Sequence, residues 1–194
     1  MPSTVLLSAS LPEADAANGA PRCDPSDLRA AVTEISREIL EKGGRLAFGG
    51  HPSITPLLLD VCTELRRPGA LTVYQSERFR NDIPAATWSL SKGGWATLRF
   101  TASFADRELD LEVMRLAMVT EEPIAGAVFI GGKTGIAVEH ELVQSLTYGV
   151  PRVTLSAPGG VAAGLSGSER AAVDTASRAY RAVARQISRA FGLR

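Results

Sequence analysis

Ala125-Gly-Ala-Val-Phe-Ile130 runs straight into Gly131-Gly-Lys-Thr-Gly135, and Ile136-Ala-Val-Glu139 follows. An unbroken apolar run of this length marks a parallel strand covered on both faces. The glycines permit a tight turn, after which Ile136 to Leu146 continues at helical spacing. Strand, glycine turn and helix form the unit from which the rest of the chain is read.

The unit recurs upstream. Arg45-Leu-Ala-Phe48 empties into Gly49-Gly-His-Pro-Ser-Ile-Thr-Pro56, and Leu57 to Leu65 continues as an apolar helix. Thr4 to Ala9, Ala70 to Tyr74, Ala96 to Thr101 and Pro151 to Ser156 read as further strands. Asp24-Pro-Ser-Asp27 starts a helix, with Asp24 as its cap, that runs to Gly43-Gly44. Asp106 to Glu121 reads as a helix with Leu109, Val113, Leu116 and Ala117 inward, and Ser168 to Phe191 as a long final helix. Gln75 to Asp82 is a polar loop, and Ala157 to Gly167 a flexible one. This alternation predicts an α/β fold, a doubly wound, mostly parallel sheet of about six strands flanked by helices, in one domain spanning 1–194.

Composition removes several classes of function. With 21 Lys+Arg against 21 Asp+Glu, the chain lacks the basic excess that general nucleic-acid or anionic-membrane binding uses. Two cysteines, Cys23 and Cys62, make neither a disulfide framework nor a four-cysteine zinc site, and no metal is expected. No apolar run is long enough to span a membrane or serve as a signal peptide, so a cytoplasmic location is expected. Only Lys42, Lys92 and Lys133 could form a Schiff base, and none occupies a recognisable pyridoxal-phosphate site; no cofactor is expected. Cys62 is assigned to the core, His140 to the surface, and Trp88 and Trp95 to packing.

In a parallel sheet, ligands bind beyond the carboxyl ends of the strands, where helix N-termini present free N–H groups. Two glycine loops have that position. The first offers Gly49, Gly50, His51, Ser53 and Thr55; the second offers Gly131, Gly132, Lys133, Thr134 and Gly135. Gln75, Ser76 and Glu77 follow the third strand at the same end. Two such loops in one chain point to a phosphate-bearing ligand. The ending Gly132-Lys133-Thr134 is not a P-loop, because the earlier glycine it needs falls on Ala127 within the apolar strand. The dinucleotide pattern G-x-G-x-x-G is absent after every strand. The arginines Arg178, Arg181, Arg185 and Arg189 line one side of the final helix as a solvated or subunit-contact face.

With these residues in order, the chain resembles the SLOG (SMF/DprA–LOG) superfamily of Rossmann-like nucleotide-binding domains, over Val5 to about Ser156. Within it the Lonely Guy phosphoribohydrolases cleave nucleoside 5′-monophosphates to free base and ribose 5-phosphate. The stretch Arg45 to Pro56 resembles their strand and first glycine loop. Glu112-Val-Met-Arg-Leu-Ala-Met118 resembles the helix of the catalytic arginine, which the resemblance assigns to Arg115. Ala125 to Glu139 resembles the strand and P-G-G-x-G-T-x-x-E motif, which assigns the catalytic carboxylate to Glu139. Ile130 stands for the motif proline, one extra residue separates Gly132 from Gly135, and Ile136 stands for the threonine. The G-G-H-P-x-I-T-P and Y-Q-S-E stretches are closer to a bacterial branch that handles nucleotide-derived signals, sometimes beside NAD-consuming TIR domains.

The chemistry fits the assignment. Cleavage of an N-glycosidic bond builds oxocarbenium character that a carboxylate can stabilise, or water that it can activate. An arginine fork can hold a phosphate or ribose hydroxyl. The expectation is a homodimer that binds a nucleotide-type small molecule and acts as an N-glycosidase on nucleoside monophosphates or ADP-ribose-like compounds, with a TIR-type or other signalling partner. The alternative is a non-catalytic nucleotide-signal sensor or cofactor carrier on the same loops. A DNA-binding role would need a basic surface that the charge balance does not favour.

Overall fold

The computed structural model describes residues 3–11, 22–165 and 172–193. Its strands are β1 (Thr4–Ser10), β2 (Arg45–Phe48), β3 (Leu71–Ser76), β4 (Ala96–Thr101), β5 (Ile124–Gly131) and β6 (Arg152–Leu155). They form one sheet in the order β4-β3-β2-β1-β5-β6. Every pairing is parallel, so the Rossmann-like α/β expectation is met, with an all-parallel sheet in place of a mostly parallel one.

The helices are α1 (Pro25–Glu41), α2 (Thr55–Leu65), α3 (Ala85–Lys92), α4 (Arg107–Thr120), α5 (Thr134–Leu146) and α6 (Tyr180–Ala190). The Asp24 carboxylate caps α1 by accepting the N–H of Asp27 at 2.8 Å. The apolar run of β5 is explained by its two covered faces. Val128 and Ile130 belong to a core built with α1, α2 and α6, while Ala127 and Phe129 face α4 and α5. Strand side chains alternate between faces, so a strand buried on both sides has no polar positions to spare.

Strand order reverses at β1, which lies between β2 and β5. That reversal opens a crevice at the carboxyl ends of the strands, the usual ligand position in open α/β sheets. Gly131 and Gly132 carry the chain across it with φ of 68° and 72°, a left-handed pair that side chains with a Cβ rarely adopt.

Several expectations are corrected. The final helix begins at Tyr180, not Ser168; residues 166–171 lie outside the described residues. Before it the chain is tied to the end of β6 instead, where the N–H groups of Ser156 and Ala157 both donate to Thr175 O. Arg178 therefore precedes the helix and pairs with Asp27 at 2.6 Å. On α4 the inward side is Asp110, Met114, Met118 and Val119, whereas Leu109 and Leu116 are exposed.

Gln75 and Ser76 complete β3 and are buried, and only Glu77–Asp82 leaves the sheet, as a 3-10 turn. His140 is buried, its ring edge-on to Phe129 with centroids 5.0 Å apart. The segment read as flexible is folded through residue 165. Val161 N–H donates to Gly132 O at 3.1 Å, and a Cβ on Gly160 would overlap the Gly131 backbone. This segment braces the second glycine loop from behind.

Candidate functional site

A cavity of about 390 Å³ opens at the β1–β5 reversal. Its floor is the end of β1, with Ser8 and Ser10; one wall is the start of α4, and the opposite wall is the start of α5. Of the residues singled out in the sequence, Gly49, His51, Arg115, Lys133, Gly135 and Glu139 all line it.

Arg115 and Glu139 approach from the two walls. Nε of the arginine lies 3.5 Å from Oε1 of the glutamate, and each side chain is about 15% exposed (16% and 15%). Arg115 thus pairs across the cavity, not with Glu112 on its own helix or Glu121 just past its end. Burial pushes the Glu139 carboxyl above its ordinary value; the Ser8 hydroxyl and the Arg115 guanidinium, both beside it, oppose this without reversing it. The guanidinium lies against the first turn of α5, where a Cβ on Gly135 would stand 3.0 Å from Nη2. From the α4 wall the arginine thus reaches across to the N-terminus of a thirteen-residue helix on the other wall, where Lys133 also lines the cavity. That is the arrangement an anion requires.

The first glycine loop is held by its own polar groups. Ser53 Oγ accepts from Leu11 N–H at 3.1 Å and lies 2.8 Å from His51 Nδ1, which also accepts from Ser53 N–H at 3.2 Å. Thr55 donates its hydroxyl to His51 O at 3.1 Å. Gln75 Nε2 donates to Gly49 O at 2.8 Å from the neighbouring strand. Ser53, Thr55 and Gln75 shape the loop without lining the cavity, and Gly50 lies behind it with them.

Other candidates sit apart. Ser76 Oγ accepts from Arg78 N–H at 3.2 Å, and Glu77 is exposed and paired with Arg80 at 2.5 Å. Gly131 and Gly132 form the turn beneath the cavity, and Thr134 is exposed at the head of α5. The polar lining residues not foreseen from sequence are Ser8, Ser10 and Arg107. The serines carry a readable signal, since Ser8-Ala9-Ser10 breaks an apolar strand at its carboxyl end. Arg107 carries none, being one of several charges around a helix start. Among the described residues no three His, Cys, Asp or Glu side chains converge as metal ligands would, and no helix is long and apolar enough to cross a membrane.

The SLOG cluster3 family matches residues 20–185. The chain belongs to the SLOG cluster3 family. Among solved structures, this SLOG domain is similar to the X-ray structure of TM1055, a structural-genomics target, at 18% identity and a TM-score of 0.53. The match covers 82% of this chain and 78% of that one. At that identity the likeness speaks for the fold alone. No curated protein matches the SLOG domain in sequence. Membership of the SLOG family supports a nucleotide-related function in general terms.

Proposed function

We propose that the SLOG domain binds a nucleoside monophosphate or related nucleotide in the β1–β5 cavity and hydrolyses its N-glycosidic bond. The observation that carries this reading is the meeting of Arg115 and Glu139 at the start of α5. The phosphate is held by Arg115, Lys133 and the free N–H groups of the α5 N-terminus. Glu139 lies one helical turn further along α5, within a sugar's length of that anion. As the bond to the base breaks, the ionised Glu139 stabilises the positive charge growing on the ribose and accepts a proton from the water that adds there, while the departing base takes up a proton from solvent and leaves as the neutral free base. Incubation with a panel of nucleoside monophosphates, followed by chromatography for free base, tests it; release lost in Glu139→Gln is the expected result.

The sensor reading has one observation of its own. Ile136 lines the cavity at the position where the resemblance expects a threonine hydroxyl. A thermal shift with nucleotides but no base release from wild type selects it.

We also infer that the SLOG domain forms a homodimer. Its support is the exposed apolar set Leu109 and Leu116 on α4 with Val138 and Leu146 on the adjacent α5.

A further inference from the structure

Between β4 and α4 the chain turns through Ala102 to Asp106, at the same end of the sheet as the cavity. The turn is fixed by one carboxylate. Asp110, fully buried on α4, accepts from Phe104 N–H at 2.6 Å, from Ser103 Oγ at 2.8 Å and from Arg78 Nε at 2.6 Å. The next residue, Ala105, has φ of 67°, a left-handed conformation that a residue with a Cβ adopts only when its surroundings impose it.

The product of this effort is an outward-facing aromatic side chain, for Phe104 is 53% exposed. A single exposed apolar residue is ordinary. One whose backbone is locked by a buried charge and followed by strain is held in place. Phe104 is not itself part of the cavity lining, but Arg107 three residues later is, as is Leu111 one turn beyond, so the turn leads into that wall.

Resting on the nucleotide-binding reading above, we propose that Phe104 is the base platform of the site: it stacks on the heterocycle of a nucleotide whose phosphate lies at Arg115 and Lys133. The ligand class is thereby narrowed to nucleotides with a planar base, as against sugar phosphates alone. A stacking face needs no hydrogen-bond code and tolerates different bases, but it must be rigid to contribute affinity, and the Asp110 anchor supplies that rigidity.

The test compares AMP with ribose 5-phosphate by titration calorimetry, in the Glu139→Gln background if AMP is turned over. Wild type binds AMP more tightly than ribose 5-phosphate. Phe104→Ala removes about tenfold or more of that preference while leaving ribose 5-phosphate affinity unchanged, and Phe104→Trp restores it. The variant is safe for folding because the ring is exposed, and a matching melting temperature confirms it. A preference that survives Phe104→Ala overturns the platform, as does an equal loss for both ligands. So does an unchanged ratio accompanied by a shift from dimer to monomer in sedimentation, which assigns the ring to a subunit contact. If wild type binds ribose 5-phosphate but prefers no base, the platform alone fails; if it binds neither ligand, the nucleotide reading beneath it fails as well.

Discussion

Nε of Arg115 on α4 stands 3.5 Å from Oε1 of Glu139 on α5, and the two side chains close one cavity from opposite walls. Each is largely shielded from water, so each depends on the other more than a surface pair would. Glu139→Gln keeps the shape but removes the charge. Base release is expected to fall by about 10²-fold or more while nucleotide binding persists. Arg115→Lys keeps the charge but loses the fork, and is expected to raise KM and lower kcat together. Steady-state kinetics on both variants separates the roles, and an Arg115→Lys enzyme with wild-type constants would remove the arginine from the site.

The raised Glu139 carboxyl has two consequences of opposite sign. Burial favours its protonated form, so catalysis by the ionised form sets in at higher pH than an ordinary glutamate would allow. The acid limb of the kcat profile is expected to lie above the usual carboxylate range. Stability runs the other way. Glu139 contributes fully below the ordinary carboxyl value, and that contribution is lost as pH rises through the raised folded value. Glu139→Gln, which cannot ionise, should gain melting temperature relative to wild type as pH rises. Parallel curves for the two proteins would contradict the burial argument.

Asp110 titrates in the reverse sense. Burial alone would raise its carboxyl, but the Phe104 N–H, the Arg78 guanidinium and the Ser103 hydroxyl together hold it below the ordinary value. Its stabilisation is present above the unfolded carboxyl value and is lost as pH falls through the lowered folded one. Asp110→Asn should therefore lower the melting temperature at neutral pH and by less at acid pH, with the β4–α4 turn becoming accessible to protease. A uniform loss at every pH would point to packing in place of charge.

These sites differ in how much the sequence disclosed. The core strand Ala125–Ile130 was legible because two covered faces leave a strand no polar positions, and the glycine turn after it because residues with a Cβ rarely adopt paired left-handed φ. The inward face of α4 was not. Leu109 and Leu116 are apolar yet exposed, while the fully buried position belongs to Asp110, whose three donors come from two other segments of chain. Periodicity ranks residues by hydropathy and cannot see donors that arrive from elsewhere. The same limit applies to Gln75. Its place after a strand suggested a ligand contact, whereas its amide is spent on Gly49 O.

Two glycines should separate binding from folding. A Cβ at Gly135 would press on Arg115 Nη2, the mobile end of a side chain, in a helical turn that alanine otherwise favours. Gly135→Ala is expected to keep or raise stability while weakening phosphate binding about tenfold, the worth of one charge-assisted hydrogen bond. A Cβ at Gly160 would instead overlap backbone at Gly131, with φ already at 73°. Gly160→Ala should cost about 1–3 kcal/mol in urea denaturation, because neither backbone can give way.

The exposed apolar residues of α4 and α5 make the last case. Leu109 and Leu116 are seven apart, hence two turns along one side of α4, and both are 43% exposed; Val138 and Leu146 on α5 are 39% and 48% exposed. Four exposed apolar side chains thus lie on two helices that pack together, and subunit contacts cover apolar surface of this kind. If they meet their counterparts across a two-fold axis, Leu116→Lys places two ammonium groups in an apolar contact. The dimer dissociation constant should then rise about 30-fold or more, the scale of one interface hot spot. Sedimentation velocity over a dilution series reads this directly, with melting temperature as the check on folding. A wild-type chain that remains monomeric at every concentration would leave the patch without a second copy and sink the homodimer.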